Sequence, residues 1–299
     1  MIGFEDRVAI VTGAGGGLGE EHARLLAARG AAVVVNDLGG TVHGEGSSAS
    51  AADSVVASIR DGGGEAIAEY SSVATAGGGE AIVSRALDQY GRVDILINNA
   101  GILRDRSLSN MTTDELYAVL DVHLRGAFHV TKPAFTQMKE QGYGRIVMTS
   151  SASGLFGNFG QTNYGAAKAG LVGLMNVLAL EGAKHGVNVN AVAPIARTRM
   201  TEELLGDLAE RFDAASVSPA VAYLCSEECE LTAEIWSVGG GSVSRVFIGL
   251  TDGYLTRGDG PLTVEDVAGH LDEIRSDRDY LIPFSAQDEF AKLGPRLLA

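Results

Sequence analysis

The sequence predicts an α/β fold built on a doubly wound parallel sheet with a C-terminal appendage, and three observations predict it. Seven short apolar runs recur along the chain: RVAIVTG, AAVVVND, EAIAEY, VDILINNAG, RIVMTSS, NVNAVAP and EIWSVGG. They are apolar throughout instead of alternating, as strands covered on both faces are. Most are separated by 12 to 40 residues of helical pattern, long enough for the crossovers that parallel neighbours need. At 299 residues and 45% hydrophobic, the chain has the material for such a core.

The first run passes directly into TGAGGGLG, residues 12 to 19, which opens the first helix. Gly62 to Gly64 end the helix running through SVVASIRD, because glycine tolerates the conformation that stops a helix. GGGEAI occurs at 62–67 and again at 77–82, but the first copy leads into a strand and the second opens a helix, so it is not a repeat. Thr112 with Glu115 marks a helix start by a capping box. Pro133 stands inside a long helical pattern, where its missing N–H predicts a kink or a division. After the last run, TDGYLTRGDGP reads as Gly and Asp turns, TVEDVAGHLDEIR as one helix, and the end as polar. The expected organisation is a sheet domain at 1–241 and an extension at 242–299 packed on it.

The net charge of −15, with no lysine or arginine run, argues against nucleic acid or an anionic membrane as partner, since both demand a basic face. The opening MIGFEDRVAIVT has neither a basic stretch nor a small-residue cleavage site, and no apolar run reaches about 18 residues, so a signal peptide and a membrane span are not expected. Cys225 and Cys229 lack the His or Cys neighbours that would complete a metal site, and are expected to be reduced, structural thiols. A cytoplasmic location is the expectation.

A glycine-rich turn between strand and helix offers backbone N–H groups and a helix dipole to a phosphate. In TGAGGGLG, Gly13 allows the tight turn, Gly17 lets backbone approach a pyrophosphate, and Gly19 permits close packing of helix on strand, with Leu18 between them. Asp37 ends the second strand 18 residues after Gly19, where a carboxylate receives ribose hydroxyls and repels the extra phosphate of NADP. The predicted cofactor is therefore NAD, and the fold a Rossmann fold. Val73, and Asn99, Ala100 and Gly101 of INNAG, join the same candidate site; small residues after the fourth strand let the chain pass close beneath a ribose.

NYGAAKAG places Tyr164 four residues before Lys168, one turn apart on a helix face and separated by about 6 Å. A phenol titrates near 10 and needs help to act as a base at neutral pH. Lowering it by about three units takes roughly 4 kcal/mol, which an ammonium one turn away and an oxidised nicotinamide would supply together. Ser151 ends the preceding strand 13 residues before Tyr164 and can bond the same reacting oxygen. The helix from Thr162 to His185 carries apolar residues on more than one face, as a helix paired across a two-fold axis does.

TGAGGGLG, NNAG, Ser151 and YGAAK, in this order across residues 5 to 240, resemble the short-chain dehydrogenase/reductase superfamily. VVVNDLGG, NNAGILRDRS, VHLRGAF, YGRIVMTSSASG and GNFGQTNYGAAKAGLVGL are similar, more narrowly, to the (3R)-hydroxyacyl-CoA dehydrogenases of peroxisomal multifunctional enzymes of type 2, also known as type 4 17β-hydroxysteroid dehydrogenases. VGGGSVSRVFIG resembles their stand-alone actinobacterial relatives. The resemblance implies that Tyr164 is the acid/base, that Lys168 orients the nicotinamide ribose and depresses the tyrosine, and that Ser151 holds the substrate oxygen. It implies NAD held by Gly13, Gly17, Gly19, Asp37, Asn99 and Gly101, a fatty acyl-CoA or steroid-CoA substrate, and a homodimer or homotetramer. Two departures stand out. His123 occupies the place of the superfamily's asparagine, as a proton relay or as a buried structural histidine. Pro194-Ile195 replaces Pro-Gly, so Ile195 is expected to narrow the nicotinamide pocket or shift the loop, with Thr198 as the carboxamide contact. Arg104, Arg106, Arg197 and Arg199 follow strand ends on the correct edge to meet a polyanionic CoA, or form ordinary surface ion pairs. Oxidation of a free 17β-hydroxysteroid and a non-catalytic NAD-binding scaffold are the competing functions.

Overall fold

The computed structural model describes residues 1–196, 210–256 and 260–298. The chain divides into two compact units, Met1–Arg245 and Val246–Ala299. All seven apolar runs of the first unit are strands: β1 (Val8–Thr12), β2 (Ala32–Asn36), β3 (Glu65–Glu69), β4 (Ile95–Asn98), β5 (Gly144–Thr149), β6 (Val187–Pro194) and β7 (Ile235–Gly239). They pair in parallel in the order β3-β2-β1-β4-β5-β6-β7. The order reverses between β1 and β4, and the chain leaves both strands at the same edge, which opens the crevice where α/β sheets bind ligands.

An eighth strand, β8 (Ser242–Val246), lies beside β7 at the sheet edge. Its only link to β7 is Gly240-Gly241, both at positive φ (57° and 79°), a two-residue turn that joins antiparallel strands alone. The sheet therefore extends past residue 241, into sequence that reads as tail.

Helices α1 (Gly17–Ala28), α2 (Ser50–Asp61) and α8 (Ser218–Cys225) contribute to one buried core with β1 and β2. Helices α3 (Ala76–Tyr90), α4 (Thr113–Leu120), α5 (Gly126–Gln141), α6 (Ala152–Leu155) and α7 (Thr162–Gly182) also belong to this unit. Strand side chains such as Ile10, Ile95, Leu96 and Ile146 are fully buried, each contributing about 1.5–3 kcal/mol through removal from water. Gly62 caps α2 and the Thr112–Glu115 capping box is present in both directions. Cys225 and Cys229 are buried free thiols, and burial pushes both upward.

Pro133 does not divide its helix. α5 runs through it, and the missing N–H frees the carbonyl of His129 one turn back. That carbonyl faces α3 at Gly79, where a Cβ would come within 2.4 Å of His129 O, so the freed acceptor lies at the closest approach of the two helices. The irregularity falls earlier, where Asp121–Arg125 winds as a π-turn between α4 and α5.

With its following turn, α7 (Thr162–His185) is long and apolar enough by composition to cross a bilayer, contrary to the expectation that no segment reaches that length. Its buried stripe, Leu171, Val172 and Met175, is core, and Lys168 is buried on the same helix. These are features of a helix packed on a sheet.

The second unit holds an antiparallel pair, β9 (Leu250–Thr251) with β10 (Tyr280–Leu281). The expected single helix TVEDVAGHLDEIR is two, α9 (Val264–Gly269) and α10 (Leu271–Ile274), broken at His270, whose ring stacks on Tyr254 at 3.7 Å. The chain end, which reads as polar, forms α11 (Ala286–Leu298); its Lys292 donates to the carbonyls of Leu250 and Thr251.

Candidate active site

All the expected catalytic and cofactor-binding residues except Gly19 and Thr198 line one cleft of about 550 Å³ at the carboxyl edge of the sheet, as Arg104 does and Arg106 does not. Gly19 lies beneath it, and Thr198, with Arg197 and Arg199, falls outside the described residues.

The cleft floor is the loop between β1 and α1. Gly13 sits at φ +63°, and a Cβ there would stand 2.7 Å from Ala100 Cα. A Cβ on Gly19 would meet Gly13 O at 2.3 Å and Asn99 Nδ2 at 2.5 Å. Asn99 donates from Nδ2 to the carbonyls of Thr12 and Gly13, both at 3.0 Å. Thr12 Oγ1 in turn accepts from the N–H groups of Asn99 and Ala100. The Asn99 amide nitrogen is thus committed to bracing the glycine loop. Thr12 was not among the expected site residues; a hydroxyl at the end of an otherwise apolar strand is the signal that marks it.

At the end of the cleft beside β2, Asp37 accepts from Gly15 N at 2.8 Å and from Gly39 N at 2.6 Å. Buried Asn36 and Glu69 pair at 2.6 Å, and Glu69 also receives Ser71 N, which fixes the wall that carries Val73. The connection after β2 reaches the one after β4: Leu103 donates to Val42 O at 2.9 Å, and Arg104 pairs with Glu45 at 3.3 Å. Arg106 pairs with Glu115, so both described arginines of the expected CoA contact are held in ion pairs.

At the reaction end, Ser151 caps α6 by accepting from Ser153 N at 3.2 Å and shares a hydrogen bond with Tyr164. Lys168 Nζ donates to Thr149 O at 2.5 Å and lies 5.5 Å from the Tyr164 ring centre. The lysine is buried against Gly154, where a Cβ would stand 2.7 Å from Lys168 Cβ. Burial of Tyr164 raises its phenol above the ordinary value; the Ser151 bond opposes this and Asp105 reinforces it. The expected lowering by Lys168 is absent, because burial also drives the lysine down to about 7 and its ammonium is directed at a backbone carbonyl.

His123 projects from the π-turn with its ring edge-on to Tyr164, centroids 5.1 Å apart at 88°. Its Nε2 meets Ile102 N at 3.0 Å and Ile102 O at 2.8 Å, and Nδ1 has no partner among the described residues. Burial, then the nearby Lys168, lowers it to about 3. A small cavity of about 10 Å³ borders both His123 and Lys168, room for roughly one water. His22, bonded to Ser218 Oγ at 2.8 Å, is likewise buried and lowered to about 3. Both imidazoles are neutral when folded but titrate near 6.5 when unfolded. Stability is full above that value and declines as pH falls below it towards 3, by up to roughly 1.4 kcal/mol per pH unit for each ring. Urea midpoints are expected to drop between pH 7 and 5, and His22→Gln to make the drop shallower; a flat profile contradicts the assignment.

Two polar residues at the start of the Tyr164 helix were not foreseen. Asn163 Oδ1 accepts Tyr164 N at 2.7 Å, while Nδ2 donates to the carbonyls of Arg104 and Glu115. Gln161 donates to Asp105 at 2.7 Å and accepts from Ser153 Oγ at 2.7 Å. Polar residues packed just ahead of a helix start, as in QTNY, are the available signal. Ile195 does not narrow the cleft. Pro194 and Ala196 line it, whereas Ile195 is 40% exposed, its backbone held by Val238 O.

A family model described as short chain dehydrogenase matches residues 7–208. A short-chain type dehydrogenase/reductase of Mycobacterium tuberculosis is 54% identical over 92% of this chain and 96% of its own length. Mouse peroxisomal multifunctional enzyme type 2 is 50% identical over 91% of this chain but only 37% of its own length. The full-length Drosophila melanogaster enzyme of that type superposes with a TM-score of 0.83 at 39% identity, covering 99% of this chain and 50% of that one. A 7α-hydroxysteroid dehydrogenase solved with NADH and a 7-oxo bile acid gives a TM-score of 0.72 at 26% identity, covering 80% of this chain and 95% of its own.

Proposed function

Because the chain belongs to the short chain dehydrogenase family and is an oxidoreductase, we propose that it is an NAD-dependent dehydrogenase that oxidises a 3-hydroxyacyl-CoA to the 3-oxoacyl-CoA. The carrying observation is that Ser151, Tyr164 and Lys168 line the same cleft as the glycine loop. Similarity to the mouse and fly multifunctional enzymes supports the acyl-CoA substrate, although the chain spans only 37% and 50% of those proteins.

The residues fit a dinucleotide. The loop after β1 passes so close to Ala100 and Asn99 that side chains are excluded from Gly13 and Gly19, and Gly17 opens α1 at φ +57°. A nicotinamide bound in the cleft supplies the acceptor for the hydride that leaves C3. Ser151 holds the substrate oxygen by hydrogen bond, and Tyr164 Oη, after giving up its own proton to solvent, receives the hydroxyl proton as a phenolate, so the C–H electron pair and the O–H proton leave in one oxidation. Lys168, held at about 7 by burial, exchanges its own proton in the working pH range and anchors the phenol's helix to the end of β5.

Asp37 favours NAD over NADP: its carboxylate stands at the end of β2 and accepts from Gly15 N of the glycine loop. Asp37→Ser is expected to raise the apparent KM for NAD at least about tenfold, roughly 1.4 kcal/mol of charge-assisted bonding, and to narrow the gap to NADP. An unchanged cofactor ratio would count against the assignment. The reading as a whole is tested by absorbance at 340 nm with purified protein, NAD, a medium-chain 3-hydroxyacyl-CoA, a steroid-CoA and estradiol. Turnover of estradiol alone favours the steroid reading, and binding of NADH with no turnover favours a scaffold. Phe128 on α5 and Val177 and Leu180 on α7 are exposed and are the proposed face for a second copy, to be checked by light scattering.

A further inference from the structure

Ser151 and Tyr164 are joined through α6 and the segment Phe156-Gly-Asn-Phe-Gly160. Its backbone is anchored at both ends: Phe156 N and Gly157 N donate to Ala152 O and Ser153 O, and Gly160 O accepts Arg106 N at 2.8 Å. Gly157 and Gly160 take positive φ (85° and 80°), and a Cβ on either would meet nothing within 4 Å. The polar members of the connection turn inward: Ser153, Asn158 and Gln161 line the cleft. The two aromatic members turn outward, Phe156 at 70% and Phe159 at 93% exposure. After Met1, they are the most exposed large apolar side chains described in the first unit. A solvated loop with no further contact would place these types the other way round. Leu108, two residues beyond Arg106, adds a third exposed apolar group at 69%.

We infer that Phe156 and Phe159 form the platform on which the apolar tail of the substrate, the part beyond the reacting carbon, lies as it leaves the cleft. The inference rests on the acyl-CoA reading above. The reacting carbon must sit within reach of Ser151 and Tyr164, and the aromatic pair stands on the connection between those two residues, whose Ser153 and Asn158 line the cleft. A tail crossing two phenyl faces removes its methylenes and the rings from water together. Each methylene so buried raises kcat/KM up to about fourfold. A four-carbon substrate ends before the platform, while a twelve-carbon one covers it.

The test is kcat/KM for C4 and C12 3-hydroxyacyl-CoA with NAD, in the full chain and in Phe156→Ser/Phe159→Ser. Thermal melting and NADH titration establish that the variant is folded. The native enzyme is expected to prefer C12, and the variant to keep its C4 value within about twofold while losing at least about tenfold on C12. A C12/C4 ratio that the substitutions leave unchanged overturns the platform. So does a ratio unchanged with loss of the dimer by light scattering, which would make the pair a contact between copies. Failure of the native enzyme to oxidise either substrate overturns the acyl-CoA reading itself, a result distinct from the other two.

Discussion

Tyr164→Phe is expected to lower turnover by about a thousandfold or more while NADH affinity stays within a few fold. The substitution keeps the ring that packs edge-on against His123 and removes only the hydroxyl, which shares a hydrogen bond with Ser151. A positioned acid or base contributes about 10²–10⁴ in rate, and here the same oxygen also fixes the substrate's. The groups that would hold the dinucleotide, from Gly13 to Asp37, do not touch that oxygen. Steady-state rates at 340 nm and fluorescence titration with NADH separate the two effects; near-normal turnover by the variant would remove Tyr164 from the chemistry.

Gly19→Ala is expected to weaken dinucleotide binding at least a hundredfold. Its Cβ would stand 2.3 Å from Gly13 O and 2.5 Å from Asn99 Nδ2, so relief must come from the backbone of the phosphate loop or from the amide that braces it. Overpacking of this kind costs about 1–3 kcal/mol of stability, a fall in Tm of roughly 2–12 °C for a unit this size. Gly77→Ala is the control: it lies in α3 with nothing within 4 Å of the added carbon, and a helical Gly→Ala change in open space is neutral to stabilising. Equal NADH affinities for the two variants would show that close packing at Gly19 does not shape the site.

The fold was legible where one local pattern decides one element. The seven strands are mostly apolar and mostly buried, and the glycine loop must lie between a strand and a helix, so β1 to β7 and the cofactor edge follow from sequence. β8 was not legible, because its exposed residues carry no buried-strand pattern and only the Gly240-Gly241 turn returns the chain to the sheet. Tyr164, Lys168 and Ser151 were found by spacing, but their electrostatics were not. The charge state of an ionisable group depends first on its own desolvation, and burial raises Tyr164 and lowers Lys168. Asn99 was assigned to the cofactor, and Ile195 expected to narrow its pocket or shift the loop, from their positions in motifs, whereas the bonds that orient them come from residues remote in sequence.

The hydrogen bonds of Asn163 have a consequence for how activity is acquired. Its amide ties the first turn of α7 to backbone carbonyls 59 and 48 residues earlier in the chain, at Arg104 and Glu115. No contiguous fragment shorter than that span can set the phenol in place. The placement of the phenol therefore depends on contacts that no local stretch of the chain supplies.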